Sequence, residues 1–171
     1  MLQERLTERT VETALAADIG PVTLWCAPDF AHASFQDLAA RYAIMLKQQS
    51  DGDLGARMLG AIAATSGPTL VIGTDCPAFT ADILQTCANA LAGADVVLVP
   101  AEDSGYVLIG ARAVYPELFS GIAWGTSTVL TETRARISAL GLKTIELPAL
   151  WDIDTDADLN RFERVYPEMA L

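Results

Sequence analysis

The sequence predicts an α/β fold, a three-layer sandwich built on a mostly parallel sheet with one antiparallel strand. Short apolar runs alternate with amphipathic segments along its 171 residues, which is typical of β-α-β units. Two of the runs, 95–100 and 106–109, are joined by too few residues for a parallel crossover, so one strand should run antiparallel. We find no linker, repeat or low-complexity tract and predict a single domain over 1–171.

The elements of the first half follow from spacing and helix breakers. Apolar residues at helical spacing predict a helix over 2–17 that ends before Gly20-Pro21. A buried strand at 22–26 follows, closed by Pro28. The remaining elements of this half are a short helix at 34–41, a short strand at 43–46, and a helix from Asp53 as N-cap to about 64.

The second half begins with a strand that is covered on both faces. The run 69–73 is short, apolar and preceded by a turn, which is the pattern of a buried parallel strand. A helix at 80–92 follows it and opens with Thr80 as N-cap. The later elements are strands at 95–100, 106–109 and 143–147 and helices at 126–140 and 156–165.

The charge of the chain restricts its partners. At a formal net charge of −11 it lacks the clustered Lys and Arg of a nucleic-acid binder, and adsorption to anionic lipid is also disfavoured. We recognise no charged-then-apolar leader and no apolar stretch long enough to span a bilayer. The three cysteines form no C-x-x-C pair and so indicate neither a disulfide framework nor a zinc site. We therefore expect a cytoplasmic protein that binds neither nucleic acid nor membrane.

Acidic residues cluster just beyond the predicted strand ends. They are Asp75, Glu102, Asp103, Asp152 and Asp154. Because ligands of open α/β sheets bind beyond the carboxyl ends of parallel strands, we expect these loops to share one edge. Carboxylates brought together raise one another's pKa unless a cation compensates, and Mg²⁺ or Mn²⁺ binds one or two carboxylates plus substrate phosphates. The pattern predicts a divalent-metal and nucleotide site, with Asp75, Asp152 and Asp154 as candidate metal ligands.

Each acidic motif also has a purely structural interpretation. Asp75 could end its strand in an Asx-turn, and residues 102–105 fit an ordinary type I turn. Asp154-Thr155 followed by Asp158 is a good helix N-cap with acidic residues near the helix dipole. His32, the only histidine, is expected to be a solvated side chain. Spacing alone does not decide between the two interpretations of Asp75.

Several motifs occur together in an order that resembles a known family. They are Gly73-Thr-Asp-Cys-Pro77, Pro100-Ala-Glu-Asp-Ser-Gly-Tyr106, Trp124-Gly-Thr-Ser-Thr-Val129 and Trp151-Asp-Ile-Asp-Thr-Asp-Ala-Asp-Leu159. The stretch from Gln48 or Gln49 to Met58 is similar to that family's Q…G-D-L-G-x-R-M pattern. Over nearly its whole length the chain resembles the radical-SAM/selenodomain-associated transferases, a bacterial family of GT-A-like nucleotide-diphospho-sugar transferases.

The resemblance implies a GT-A-like sandwich that binds a nucleotide sugar or nucleotide through Mg²⁺ or Mn²⁺. It matches Asp75 and Asp154 to metal ligands. It places Asp103 on the acceptor side, where the carboxylate could be the general base of an inverting enzyme. The residues matched to nucleotide contacts are Thr74, Asp75, Tyr106 and Arg57. The family pattern has glycine where this chain has Ser104.

The chain departs from the family at its start. Family members open with a strand and a basic loop, A-K-x-P-x-x-G-x-x-K-T-R-L, whereas here the first predicted helix begins at Leu2. The domain therefore looks N-terminally truncated relative to the family, which would expose strand edges and favour a homodimer. The predicted function is metal-dependent glycosyl transfer from a nucleotide sugar. The alternatives are a nucleotidyltransferase of the same fold and a catalytically decayed binding or scaffold protein.

Overall fold

A computed structural model describes residues 1–169. Its helices are α1 (Leu2–Ala16), α2 (Ala33–Tyr42), α3 (Leu54–Ala63), α4 (Ala81–Ala90), α5 (Val129–Ala139) and α6 (Asp156–Val165). Its strands are β1 (Thr23–Cys26), β2 (Met45–Gln48), β3 (Thr69–Ile72), β4 (Val96–Pro100), β5 (Tyr106–Ala111) and β6 (Thr144–Glu146). Short 3₁₀ turns lie at Pro116–Leu118 and Pro167–Met169. The alternation of strands and helices confirms the predicted α/β class.

The strands form two sheets. β1 and β2 pair in parallel, with Thr23 opposite Met45. The larger sheet has the order β3-β5-β4-β6. β5 is antiparallel to both β3 and β4, while β4 and β6 are parallel, so β3, β4 and β6 run in one direction. Within the described residues β5 is thus the single antiparallel strand that the short connection predicts, whereas the division into two sheets was not predicted.

β4 lies at the centre of the core and is buried along its whole length. Its side chains alternate between the two faces of the sheet, as in any strand. On one face Val97 and Val99 pack with Leu84 of α4. On the other face Val96 and Leu98 belong to a cluster built with α3 and α5. Helices therefore cover both faces, which confirms the three-layer arrangement.

Helix α1 connects the two sheets. The Tyr42 hydroxyl of α2 lies within hydrogen-bonding distance of two carboxylates of α1, at 2.8 Å from Glu8 and 2.6 Å from Glu12. At the other end of the helix, Gln3 donates to the Thr74 hydroxyl beyond β3 at 3.0 Å. The apolar side of α1 joins a core cluster formed by Leu6, Trp151 and Phe162. No helix of residues 1–169 has the length and apolar character needed to cross a bilayer.

The predicted helix caps are present. The Asp53 carboxylate accepts from the Ala56 N–H at 2.8 Å, and the Thr80 hydroxyl accepts from the Ile83 N–H at 3.3 Å. The exposed His32 caps α2, because its Nδ1 accepts from the N–H of Ser34, the second residue of that helix, at 3.3 Å. His32 thus has a structural role at the surface that the sequence did not indicate.

Two boundaries differ from prediction for local reasons. The helix predicted from 126 begins later, because the Thr126 hydroxyl donates to the Ala123 carbonyl at 2.7 Å and closes a turn. The strand predicted at 43–46 is shifted toward the C-terminus, since Ala43 takes a left-handed φ of 52° that ends α2. The other boundaries agree within two residues.

Candidate functional site

The loops that follow β3, β4 and β6 are tied to one another by backbone hydrogen bonds. The Ile153 N–H donates to the Asp75 carbonyl at 3.0 Å. The Glu102 N–H donates to the Leu150 carbonyl at 3.0 Å, and the Leu150 N–H donates to the Pro100 carbonyl at 2.9 Å. Because β3, β4 and β6 run in one direction, these loops leave the same edge of the sheet and form one continuous surface.

Four aspartates on these loops act on one another electrostatically. Burial, followed by the charges of Asp154, Asp103 and Asp75, raises the pKa of Asp152 to about 6. Burial, followed by the charges of Asp75 and Asp103, also raises the pKa of Asp154. The structure therefore brings Asp75, Asp103, Asp152 and Asp154 close enough to repel one another.

Removing the Asp152 charge is expected to stabilise the protein at neutral pH. Its raised pKa means that the folded state holds a proton that the unfolded state releases between pH 3.8 and about 6, so stability falls as pH rises through that window. Asp152→Asn should therefore raise the free energy of unfolding at pH 7 by about 1 kcal/mol, after allowance for solvent screening. Denaturant unfolding followed from pH 4 to pH 8 measures the effect.

The gain in stability from Asp152→Asn should shrink as the pH falls below about 6, because the Asp152 carboxyl of the folded wild type is then protonated. Position 152 is then neutral in both folded proteins. Glu163→Gln removes one charge from the exposed face of α6 and serves as the control for net charge. A stabilisation that is the same at pH 4 and pH 7 would show that repulsion at Asp152 is not its cause.

The Asp75 side chain folds back over its own strand end. A Cβ built on Gly73 would lie 2.6 Å from the Asp75 Oδ1, a distance that carbon atoms do not adopt. Glycine is therefore required at position 73 for the carboxylate to take this orientation. The signal was visible in the sequence as a glycine between an apolar strand and an aspartate.

Asp103 serves the turn with one of its oxygens. Its Oδ1 accepts from the Gly105 N–H at 2.9 Å, and the side chain is exposed. Ser104 has a left-handed φ of 78°, a conformation that costs a residue with a Cβ roughly 1–2 kcal/mol and explains why glycine suits this position. The turn interpretation of residues 102–105 thus accounts for part of the Asp103 carboxylate.

Asp154 is not the cap of α6. The Thr155 hydroxyl accepts from the Asp158 N–H at 3.3 Å, and the Asp158 carboxylate accepts from the Thr155 N–H at 2.9 Å. This reciprocal capping box satisfies the start of the helix without Asp154, which is exposed. The capping interpretation therefore explains Asp158 and leaves Asp154 without a structural role.

The residues matched to nucleotide contacts have other partners. Thr74 accepts from Gln3, as described above. Arg57 donates from Nε to the Gly52 carbonyl and from Nη1 to the Gln49 side chain, both at 3.3 Å, in the loop after β2. Both hydrogen bonds of Arg57 join residues of that loop to the start of α3. Neither bond involves one of the four aspartates.

Tyr106 is partly buried. Its ring meets that of Trp124 edge-on, with centroids 6.4 Å apart and the planes at 83°. Burial raises the pKa of the Tyr106 phenol. The Tyr106 hydroxyl oxygen is buried, so in this conformation it is not presented to solvent.

Aspartate carboxylates are oxygen donors of the kind that divalent cations bind. Within residues 1–169 no group of three or more His, Cys, Asp or Glu side chains is arranged to hold a metal ion by itself. Burial raises the pKa of the Cys76 thiol to about 12, which disfavours a free thiolate at neutral pH. Mg²⁺ is commonly held by one or two carboxylates, water and substrate phosphates, and this matches the available aspartates.

Sequence reasoning missed Arg161. Its guanidinium pairs with Glu102, with Nη1 2.8 Å from Oε2, and lies 4.4 Å from the centre of the Trp151 ring. Arg161 thereby balances the charge of Glu102, and in this respect Glu102 differs from the four aspartates. The available signal was an arginine one helical turn beyond Asp158, on the same face of α6.

Known structures share this fold. A candidate nucleotide-diphospho-sugar transferase from Desulfovibrio desulfuricans G20 is 27% identical, with a TM-score of 0.86 over 97% of this chain and 74% of its own. A CMP:2-keto-3-deoxy-manno-octonic acid synthetase complexed with CTP is 12% identical, with a TM-score of 0.66 over 95% of this chain and 88% of its own. A cytidylyltransferase from Leptospira borgpetersenii serovar Hardjo-bovis is 13% identical, with a TM-score of 0.64 over 96% of this chain and 85% of its own.

The last two likenesses are of fold alone. Together the three structures confirm the α/β fold of nucleotide-diphospho-sugar transferases and cytidylyltransferases, and with it the GT-A-like kind that the motifs imply. No curated protein matches the chain by sequence.

A family model also matches the chain. It covers residues 10–126 and is described as "uncharacterized protein conserved in bacteria" (DUF2064). The match takes in the loops after β3 and β4, with Asp75 and Asp103, and the loop that carries Trp124. A match over this share of the sequence, together with a shared fold, makes the chain a member of the DUF2064 family.

Proposed function

We propose that this protein is a metal-dependent transferase that moves a glycosyl group from a nucleotide sugar to an acceptor. The carrying observation is the convergence of Asp75, Asp103, Asp152 and Asp154, whose charges oppose one another. Such repulsion destabilises the fold, and the caps and turns around the site do not require it. A bound cation would attract the same carboxylates, and it would attract the oxygens of a diphosphate as well.

Asp75 and Asp154, with Asp152 beside them, would hold Mg²⁺ or Mn²⁺. The cation would supply positive charge that stabilises a departing nucleoside diphosphate. Asp103 is exposed and uses one oxygen in its turn, so its carboxylate is available to accept a proton from an acceptor hydroxyl. The oxygen of the deprotonated acceptor hydroxyl would then bond to the anomeric carbon of the sugar as the bond from that carbon to the nucleoside diphosphate breaks.

A nucleotidyltransferase is the second candidate. The structures that favour it are a synthetase complexed with CTP and a cytidylyltransferase. The chemistry differs in the leaving group, which is diphosphate from a nucleoside triphosphate. A decayed scaffold protein would form neither product.

The experiment that tests the proposal is product analysis. The purified protein is incubated with Mn²⁺ and either nucleotide sugars or nucleoside triphosphates, and the nucleotides are separated by chromatography. Release of a nucleoside diphosphate from a sugar donor supports glycosyl transfer, whereas release of diphosphate supports nucleotidyl transfer. Unchanged donors in both series, with no nucleotide-induced stabilisation, would favour the scaffold alternative.

We also propose self-association through strand edges. The sheet is divided between β1-β2 and β3-β5-β4-β6, so the edge strands of each part carry backbone groups that no described strand pairs. A two-stranded sheet is also only marginally stable by itself. Sedimentation velocity should detect a dimer at micromolar concentration, and a monomer across the accessible range would contradict this. That residues 1–171 form one domain, and that this domain belongs with the radical-SAM/selenodomain-associated transferases, are likewise proposals.

A further inference from the structure

A second group of polar side chains lies between β5, α5 and the loop that precedes α5. Its buried atoms without a hydrogen-bonding partner among residues 1–169 are Tyr106 Oη, Trp124 Nε1, Thr133 Oγ1 and Arg136 Nε. Buried polar groups are nearly always hydrogen-bonded, so four in one layer of a small domain require an explanation. All four atoms can donate a hydrogen bond, and one belongs to a cation.

These side chains lie close to one another. The rings of Tyr106 and Trp124 are in edge-on contact, and the Thr133 hydroxyl faces the Tyr106 phenol. Thr133 and Arg136 are three residues apart on α5 and so share one face of the helix. Arg136 also donates from Nη2 to the Gly121 carbonyl at 3.2 Å, three residues before Trp124 in the chain.

The loop at 120–128 covers this group and is fastened to α5 by a few polar contacts. Glu132 of α5 accepts from the Ala123 N–H at 3.0 Å and from the Thr128 hydroxyl at 2.7 Å. Gly121 and Gly125 have φ values of 64° and 75°, which glycine adopts without strain. The two hydrogen bonds to Glu132 are exposed to solvent, so water can replace them if the loop opens.

We propose that the 120–128 loop is a lid over an oxyanion-binding site formed by Tyr106, Trp124, Thr133 and Arg136. A phosphate or carboxylate group would accept hydrogen bonds from the four donors and share the guanidinium charge with Glu132, whose carboxylate also interacts with Arg136. The site is opposite in charge preference to the four aspartates. It goes beyond the proposed transferase activity and does not depend on it.

The test uses the indole N–H resonances of ¹⁵N-labelled protein, one for each of the three tryptophans. Sodium phosphate or acetate replaces sodium chloride at constant ionic strength, without metal or nucleotide. The Trp124 resonance, assigned with Trp124→Phe, should shift and saturate. The other two indole resonances should stay in place.

Arg136→Gln should weaken the apparent phosphate affinity by about tenfold or more, because a charge-assisted hydrogen bond is lost. Arg134→Gln is the matched control: Arg134 lies on the same helix but pairs through two nitrogens with Glu146, at 2.9 and 2.7 Å. If Arg136→Gln does not fold, Tyr106→Phe tests the same site, since it removes the hydroxyl and keeps the ring.

A Trp124 resonance that does not move with either anion would overturn the proposal, and a nuclear Overhauser contact to water would then show that internal water satisfies these groups. A shift that survives both Arg136→Gln and Tyr106→Phe would also overturn it. Since neither metal nor nucleotide is present, failure here leaves the transferase proposal to its own test.

Discussion

Replacing Asp75 with asparagine is expected to abolish the stabilisation that Mn²⁺ and a nucleoside diphosphate confer on the native protein. A ligand that binds only the native state at 100 times its Kd adds about 2.7 kcal/mol to the free energy of unfolding, or roughly 5–10 °C in Tm for a domain of this size. Asp75 is one of the proposed cation ligands, and an amide is a much weaker Mg²⁺ or Mn²⁺ ligand than a carboxylate. Thermal unfolding with and without both ligands measures the loss.

The controls for this experiment lie in the same loops. Asp154→Asn should behave like Asp75→Asn, because both carboxylates are proposed ligands of the same cation. Asp156→Asn changes an exposed carboxylate in the first turn of α6 and should leave the ligand-induced shift intact. A full shift in Asp75→Asn, or a shift in the wild type that does not need the metal, would contradict the proposed site.

The acidic edge could be predicted from sequence because it depends on two local rules. Strand direction is fixed by connection length, and ligands gather at the carboxyl ends of parallel strands. Asp75 and Asp154 each follow a short apolar run, so their meeting required only that β3 and β6 run the same way. The same rules located the antiparallel β5.

The remainder of the site depends on contacts between distant parts of the chain. Nothing near Tyr106 in sequence indicates that its ring will lie against Trp124, or that Glu102 will be neutralised by Arg161 from α6. Such contacts are decided by packing of side chains across layers, which a one-dimensional pattern does not record. The motifs placed the loops in the correct order along the chain. They could not show which residues of each motif are buried and which are exposed.

Gly55→Ala is expected to lower the stability of the protein by about 1–3 kcal/mol, even though alanine is the better helix former. A Cβ at this position of α3 would lie 2.6 Å from Trp124 Cζ2 and 2.8 Å from the Phe119 carbonyl oxygen. Backbone cannot rotate away as a side chain can, and the indole edge is held by the Tyr106 ring. The expected fall in Tm is roughly 3–8 °C, measured by calorimetry or circular dichroism.

Gly60→Ala provides the comparison within the same helix. Its Cβ would meet the Ser50 hydroxyl at 2.7 Å, and that group can turn aside, so the substitution should cost little or stabilise the helix. If Gly55→Ala proves as mild as Gly60→Ala, then Trp124 is not seated against α3 as described. If it is costly, combining it with Trp124→Ala should recover part of the loss, because the two residues are in contact and their effects are not additive. Such recovery would show that the Trp124 indole packs directly against Gly55 of α3, and that this contact fixes the position of the 120–128 loop.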